Sequence, residues 1–152
     1  MTLLNSLRYI NRYTPISNNM KHFTDCLTNV ITTDMIDFKH IIKKSDIHFN
    51  PYGYRRIPLY DFDNINVLVL EWLPKSCSPV HDHHNKGCIT ILLRNQLSED
   101  IYCKTTHEFL FKQDLNINQV NFIDNSKYNH SMYNSCDDIN SVSLHIYPKI
   151  ND

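Results

Sequence analysis

Apolar residues in the first third of the chain recur at helical spacing. They are three or four residues apart and share one face of an amphipathic helix: Met20, Phe23, Leu27, Val30 and Ile31. A second, short helix is predicted after Thr33, because Asp34 would lie in its first turn and Lys43 and Lys44 in its last, matching the helix macrodipole. Pro51 then ends this region, so residues 1–50 are predicted to form a helical segment.

From Tyr54 onward the pattern changes to short runs of β-branched and aromatic residues, separated by Pro, Asn, Asp and Ser. This pattern is typical of antiparallel strands in a sandwich or barrel. The candidate strands are Ile65–Trp72, Cys88–Leu93, Leu97–Tyr102, Glu108–Phe111, Val120–Ile123 and Ser141–Tyr147. The chain is therefore predicted to be mainly β, with a small β-barrel at 51–152 and the helical segment packed on it as a single domain.

Length and charge narrow the possible partners. A chain of 152 residues fits one domain, and 15 basic against 16 acidic residues give a net charge of −1, too little to attract nucleic acid. The opening MTLLNSLRYINRY has no apolar run behind a basic start, and no stretch reaches membrane-spanning length. We therefore expect a cytoplasmic monomer that binds neither nucleic acid nor membrane.

The cysteine and histidine counts point to different chemistry. Five cysteines form an odd number without C-x-x-C spacing, which argues against a disulfide framework and against a cysteine-based zinc site. The abundance of Asn, Ile, Lys and Tyr is typical of an AT-rich gene. That bias has less reason to enrich histidine, so the nine histidines need a separate explanation.

Three histidines are placed where they could share a metal ion. The segment Val80-His81-Asp82-His83-His84 contains H-x-H, and in an extended strand a period of two puts His81 and His83 on one face, with His84 on the other. His130, followed by Asn134, lies well downstream after a turn-forming segment. Strands that converge inside a small barrel would then present three neutral imidazoles.

The ligand set alone leaves the metal open. Three nitrogens without a carboxylate leave free positions on an octahedral ion, which suits non-haem Fe(II) and its oxygen chemistry. Three-histidine zinc sites that activate water are the competing use.

An ordered set of motifs resembles the cysteine dioxygenase type I family, thiol dioxygenases of the cupin superfamily. The motifs are Trp72, Ser78-Pro79-Val80-His81-Asp82-His83, Cys88, Leu97-Ser98-Glu99, Val120–Asp124, His130 with Asn134, and Ser141–Tyr147. The resemblance implies a cupin β-barrel (jelly roll) with Fe(II) as cofactor, held by His81, His83 and His130. It also implies the conversion of L-cysteine and O2 into cysteine sulfinic acid.

The resemblance also implies roles for residues before the first predicted strand. In Tyr54-Arg55-Arg56 the family pattern Y-x-R puts Arg56 at the substrate carboxylate, to which a guanidinium offers a planar bidentate fork. Arg55 is then expected to point outward into solvent. Tyr54 either hydrogen-bonds the substrate or only packs its ring.

His145 and Tyr147 alternate on the last predicted strand. Both face the barrel interior if Leu144 and Ile146 pack outward under the helices. The resemblance implies that His145 hydrogen-bonds Tyr147, whose hydroxyl reaches the substrate and O2. It further implies a thioether crosslink between Cys88 and Tyr147, while a metal-binding or an inert buried thiol at Cys88 stays open.

Three rival functions stay open, and the sequence departs from the family at some points. The rivals are a dioxygenase of another small thiol such as 3-mercaptopropionate, a non-catalytic metal-binding cupin, and a zinc isomerase or hydrolase. Enzymes acting on 3-mercaptopropionate usually carry Gln in place of Arg56, so the arginine favours cysteine.

The chain ends soon after Tyr147, where animal relatives continue, so a less enclosed pocket is expected. Glycine is absent from the turn at 73–78, and Asn95 is expected to take a left-handed conformation in the next turn.

Overall fold

The computed structural model describes residues 2–13, 20–83 and 87–149. Its helices are α1 (Leu3–Tyr13), α2 (Met20–Val30) and α3 (Phe38–Lys44), with a short 3₁₀ turn at Thr33–Met35. The predicted stripe coincides with α2, whose Phe23 and Leu27 are fully buried. The amphipathic spacing therefore identified this helix correctly.

The second predicted helix begins later than expected. Asp34 lies in the 3₁₀ turn, and Asp37 caps α3 by accepting a hydrogen bond from the backbone N–H of His40 at 3.1 Å. An N-cap carboxylate accepts a hydrogen bond from a backbone N–H that has no partner inside the helix. The helix therefore begins at Phe38, directly after the capping residue Asp37. Lys43 and Lys44 occupy the last turn, as predicted.

Eight strands follow the helices. They are β1 (Tyr54–Asp61), β2 (Ile65–Trp72), β3 (Cys88–Arg94), β4 (Leu97–Cys103), β5 (Phe109–Leu115), β6 (Val120–Ile123), β7 (Tyr128–Tyr133) and β8 (Ser141–Pro148). The six predicted strands correspond to β2 to β6 and β8, although β5 continues past the predicted end at Phe111 to Leu115. The strands β1 and β7 were not predicted.

The strands form two antiparallel sheets. One contains five strands in the order β1-β2-β8-β3-β6, and the other contains three in the order β5-β4-β7. An apolar cluster joins them, with Leu70, Trp72 and Leu92 from the larger sheet and Leu97 and Met132 from the smaller one. The described chain is thus mainly antiparallel β with an N-terminal helical part, as the sequence predicted.

The helices cover the outer face of the five-stranded sheet. Leu144 and Ile146 of β8 are completely buried in the same cluster as Leu7 of α1 and Leu27 of α2. Because side chains alternate along a strand, Ser143, His145 and Tyr147 point to the opposite face, toward the smaller sheet. This is the orientation predicted from the alternation. That residues 1–50 and 51–152 form one domain stays a prediction.

Two turns show how the chain manages with few glycines. Asn95 (φ 63°) takes the left-handed conformation between β3 and β4, as predicted, and Lys75 (φ 61°) takes it in the glycine-free turn at 73–78. Gly87 (φ 86°) lies immediately before β3, where a Cβ would sit 2.2 Å from the carbonyl oxygen of Ile123. Only glycine fits there without displacing backbone, and this close approach sets the start of the strand that carries Cys88.

No helix within the described ranges is long and apolar enough to cross a membrane.

Candidate metal centre

Three imidazoles converge at one end of the space between the sheets. The Nε2 atom of His130 lies 2.9 Å from Nε2 of His83 and 3.2 Å from Nε2 of His81. The expectation that H-x-H forms part of a strand was wrong: His81 makes an isolated bridge to His130 on β7, and residues 82–83 have no regular structure. Backbone hydrogen bonds in both directions, of 2.8 and 2.9 Å, hold His81 against His130. His84, expected to point outward, lies outside the described residues.

The spacing of these nitrogens fits a metal ion. Two nitrogens about 2.1 Å from an ion are about 3.0 Å apart at a right angle and about 3.4 Å apart at a tetrahedral angle. The separations of 2.9 and 3.2 Å are close to this range, and all three ligand atoms lie within 4.8 Å of one another, so they are near enough to share one metal ion of either geometry. His81, His83 and His130 form the one group of three potential metal-ligating side chains found among the described residues.

Burial keeps the imidazoles of His81 and His83 in the form that binds metals. Removal from water, reinforced by the neighbouring His130, lowers the pKa of His83 to about 2. The same causes lower the pKa of His81. Neutral imidazoles retain the lone pair that a metal ion needs, so the site is electrostatically ready for a cation at neutral pH.

The other ring nitrogens have their own partners. His81 Nδ1 lies 2.8 Å from the carbonyl oxygen of Pro79, and His130 Nδ1 lies 2.8 Å from Glu99 Oε1. Both contacts place the proton on Nδ1, because the carbonyl and the ionised carboxylate only accept hydrogen bonds. Nε2 is therefore left as the donor atom toward the shared centre.

A cavity opens beside the three histidines. Its other walls include Tyr54, Arg56 and Tyr147. A second cavity shares Arg56, His81, His83 and Tyr147 with the first. Arg56, His81, His83 and Tyr147 therefore lie where the two cavities adjoin.

Arg56 and Tyr54 lie within a strand, not before the first strand as expected. Both belong to β1, and the Tyr54 ring stacks on Trp72 with ring centroids 4.7 Å apart. The Arg56 guanidinium carbon lies 5.3 Å from the centroid of the Tyr147 ring. Within the described residues no carboxylate forms an ion pair with Arg56, so its charge is available to a ligand in the cavity.

Arg55 does not point into solvent, which corrects the sequence prediction. Its Nε donates to Glu71 Oε2 at 2.6 Å, and its terminal nitrogens donate to three backbone carbonyl oxygens that follow or end α3. The side chain is only 12% exposed. Alternation along β1 sends Arg55 toward the helices and Arg56 toward the cavity, and the helical segment supplied acceptors that the local sequence did not reveal.

A chain of hydrogen bonds runs through the larger sheet to the cavity. Trp72 Nε1 donates to Ser143 Oγ at 2.9 Å, Ser143 Oγ lies 2.8 Å from His145 Nε2, and His145 Nδ1 lies 3.1 Å from the Tyr147 hydroxyl. Burial holds the pKa of His145 well below its usual value and that of Tyr147 well above. Both groups are therefore neutral at pH 7, and the predicted contact between them is present.

Cys88 lies behind this chain, at the start of β3. Its side chain is buried against Tyr147, and its Sγ lies 3.8 Å from His145 Nδ1. Burial raises the pKa of the thiol to about 12, and the Tyr147 hydroxyl is within hydrogen-bonding reach of it. The structure thus brings together all eight residues singled out from the sequence, although it does not by itself assign their roles.

Sequence reasoning gave no role to Ser143 or Glu99. Both could have been detected in the sequence, because each lies two residues away from a side chain that is expected on the same face of its strand. Ser143 precedes His145 by two residues, and Glu99 lies between Leu97 and Ile101, placing a carboxylate on an apolar strand face. A polar residue at such a position needs a buried partner, and here the partners are His145 and His130.

Solved structures with similar folds are cupins and related proteins. A protein from Thermus thermophilus superimposes with a TM-score of 0.58 at 15% identity, covering 76% of this chain and 97% of that one. A cupin domain from Bordetella pertussis gives a TM-score of 0.51 at 14% identity, covering 68% of this chain and all of that one. At these identities the comparison shows the fold, which is the predicted cupin fold.

Sequence comparison is more specific. Human cysteine dioxygenase type 1 is 32% identical over 106 residues, which cover 65% of this chain and 52% of the human protein. The chain thus spans about half the length of the curated relatives it matches. The family model described as cysteine dioxygenase type I matches residues 33–150, which include every strand and all three histidines. The chain therefore belongs to the cysteine dioxygenase type I family.

Proposed function

We propose that this protein is an Fe(II)-dependent thiol dioxygenase that converts L-cysteine and O2 into cysteine sulfinic acid. The observation that carries the proposal is the convergence of three imidazole Nε2 atoms on a cavity that also contains Arg56 and Tyr147. The roles of Arg56, Tyr54, Tyr147 and Cys88 depend on their positions around these three nitrogens. Its substrate would be a small molecule, as the matching family suggests.

His81, His83 and His130 would hold the iron. When bound, Fe(II) supplies open coordination positions and the redox chemistry by which both atoms of O2 are added to a thiolate sulfur. Three nitrogen ligands without a carboxylate, which leave positions open on an octahedral ion, support this use. The matching family supports a thiol substrate.

Arg56 would bind the substrate carboxylate. Its guanidinium offers parallel N–H donors, and its lack of a carboxylate partner among the described residues leaves those donors available. Tyr54, stacked on Trp72, would form the adjoining wall and orient the same end of the substrate. With the carboxylate at Arg56, the thiol and amine of cysteine are directed toward the histidines.

Tyr147 would donate a hydrogen bond into the cavity. Trp72 can only donate to Ser143, so the Ser143 hydroxyl proton is best directed to His145 Nε2. His145 then carries its proton on Nδ1 and donates to the Tyr147 oxygen. That arrangement leaves the Tyr147 O–H free to donate to the substrate or to O2.

Cys88 and Tyr147 would form a thioether crosslink during turnover. The crosslink replaces one S–H and one aromatic C–H bond by a C–S bond, and the two protons and two electrons released reduce one O2 to hydrogen peroxide. The buried contact between the two side chains supports it. An intact mass about two hydrogens lower than the sequence mass is expected, and the deficit is expected to vanish in Cys88→Ser. A full-mass protein after many turnovers would refute the crosslink.

A comparison of two thiols tests the proposed reaction. The purified protein is loaded anaerobically with Fe(II), mixed with oxygenated L-cysteine or 3-mercaptopropionate, and followed by oxygen uptake and by mass spectrometry of the sulfinate. We expect uptake with cysteine and little with 3-mercaptopropionate, which lacks the amine. Uptake only with 3-mercaptopropionate would reassign the substrate, and uptake with neither would overturn the proposed activity.

A further inference from the structure

We propose that Glu99 is a positioning residue for the metal centre: its buried carboxylate fixes the orientation of His130 and makes it a stronger electron donor, while Gln113 holds that carboxylate in place. The inference rests on the proposed metal site and goes beyond it, because it assigns a residue outside the three ligands and the cavity wall.

The geometry links three neighbouring strands. Glu99 on β4 is 4% exposed, and its two carboxylate oxygens have different partners. Oε1 lies 2.8 Å from His130 Nδ1 on β7, and Oε2 accepts a hydrogen bond of 2.9 Å from Gln113 Nε2 on β5. Glu99 and Gln113 are direct cross-strand partners in the register of β4 and β5, so the backbone pairing itself sets their side chains together.

These contacts restrict His130 more than a neutral acceptor would. An ionised carboxylate accepts a short, charge-assisted hydrogen bond, which is roughly twice as strong as one between neutral groups. The bond holds the ring plane and keeps the proton on Nδ1, so Nε2 faces His81 and His83. His81 has only the Pro79 carbonyl behind its Nδ1, which makes His130 the more strongly polarised of these two ligands.

Neither hydrogen-bond partner of Glu99 carries a fixed positive charge. Glu71, another carboxylate at most 7% exposed, pairs with the cationic Arg55, so its charge is neutralised locally. Glu99 instead meets the neutral amide of Gln113 and the imidazole of His130. A buried carboxylate without a fixed cation favours a cation nearby, and a divalent metal ion held by His130 would be that cation. Among these two buried carboxylates, only Glu99 is therefore arranged to increase metal affinity.

Metal binding tests this role without reference to catalysis. Co(II) is titrated anaerobically into the apoprotein against a competing chelating dye, and its visible d–d spectrum is recorded. Glu99→Gln keeps the shape and an acceptor but removes the charge, so we expect Co(II) to bind about 10- to 100-fold more weakly, with shifted d–d bands. Glu71→Gln, the matched control, is expected to reduce thermal stability while leaving Co(II) affinity and spectrum as in the wild type.

A second variant covers the case in which Glu99→Gln does not fold. Gln113→Leu leaves the Glu99–His130 contact but removes the donor that fixes Oε2, and we expect a smaller loss of Co(II) affinity, about 2- to 10-fold. Unchanged affinity in the folded variants, or an equal loss in Glu71→Gln, would overturn the inference.

The proposed reaction can fail separately from this inference. If the wild type binds Co(II) tightly and Glu99→Gln does not, yet the Fe(II) form consumes no thiol, the role of Glu99 stands and the dioxygenase activity falls. If sulfinate forms and both proteins bind Co(II) equally, the activity stands and the role of Glu99 falls.

Discussion

Arg55 and Arg56 are adjacent and chemically identical, yet they face opposite sides of β1. Arg55 is held by Glu71 and by backbone carbonyls near α3, whereas Arg56 projects over Tyr147 at the mouth of the cavity. The sequence contained the alternation that separates them and, through the family pattern, favoured Arg56 for the substrate. It could not reveal that Arg55 is buried, because its acceptors lie on α3, on the segment after α3 and on β2, and only the tertiary fold brings these together.

Exchanging each arginine separately distinguishes these roles. Arg56→Gln is expected to raise KM for cysteine about 10- to 100-fold, since a charge-assisted hydrogen bond contributes about 1.5 to 3 kcal/mol. Arg55→Gln, the matched control, is expected to lower the unfolding temperature with little change in KM. Steady-state oxygen uptake and thermal melts provide both readouts. Equal KM values for wild type and Arg56→Gln would show that Arg56 does not bind the substrate.

At the scale of elements, β8 shows how much a strand's pattern reveals. Its alternation correctly assigned Leu144 and Ile146 to the core beneath the helices, and His145 and Tyr147 to the site. β7 lacked such a pattern: the segment Tyr-Asn-His-Ser-Met-Tyr is polar because it faces the metal site and the bridge to His81. β1 was obscured by two arginines, Pro58 and a register shift between Pro58 and Tyr60. The hydrophobic pattern alone therefore missed β1 and β7, because functional or irregular positions interrupt the alternation of apolar and polar residues in both strands.

A core substitution in β8 tests the division between its two faces. Leu144→Ala is expected to reduce the free energy of unfolding by about 2 to 5 kcal/mol, because Leu144 is fully buried against the helical layer. Val80→Ala is the control, since Val80 is 50% exposed beside His81, and its effect should stay within about 0.5 kcal/mol. Chemical denaturation measures both. Co(II) affinity at a temperature where Leu144→Ala is folded should equal that of the wild type, and a large loss would mean that the two faces are not independent.

At the scale of the whole molecule, the fold supports a site whose buried groups make stability depend on pH. Burial lowers the pKa of His81, lowers that of His83 to about 2, and holds that of His145 well below its usual value. In the unfolded chain each histidine titrates near pH 6.5. Below that pH the unfolded state binds protons that the folded state excludes, so acidification favours unfolding.

The metal-free protein is therefore expected to lose stability as the pH falls from about 7 to about 5, with each of these histidines contributing up to about 1.4 kcal/mol per pH unit. Above about pH 7 they contribute no further change. Urea unfolding across this range measures the effect, and His83→Asn should flatten the profile. Constant or rising stability on acidification would contradict the assignment of buried, neutral histidines.

The fold class could be predicted from the alternating strands, and the three-histidine cluster from the spacing of His81, His83 and His130, whereas Arg56, Tyr54 and Cys88 were expected through the resemblance to the family. The hydrogen-bond partners behind His130, Glu99 and Gln113, could not be predicted. The Glu99–His130 and Gln113–Glu99 contacts depend on which strands are neighbours, and the order of strands in a sheet cannot be deduced from the sequence of a single segment.

Isotope labelling examines the proposed chemistry of the three-histidine site. The Fe(II)-loaded protein is supplied with L-cysteine under ¹⁸O₂, and the product is weighed by mass spectrometry. We predict cysteine sulfinic acid about 4 mass units heavier than the product formed under ordinary O2, because both oxygen atoms come from one O2 molecule, and no product from His130→Asn. Absence of sulfinic acid, or a product carrying a single labelled oxygen, would contradict the proposed dioxygenase.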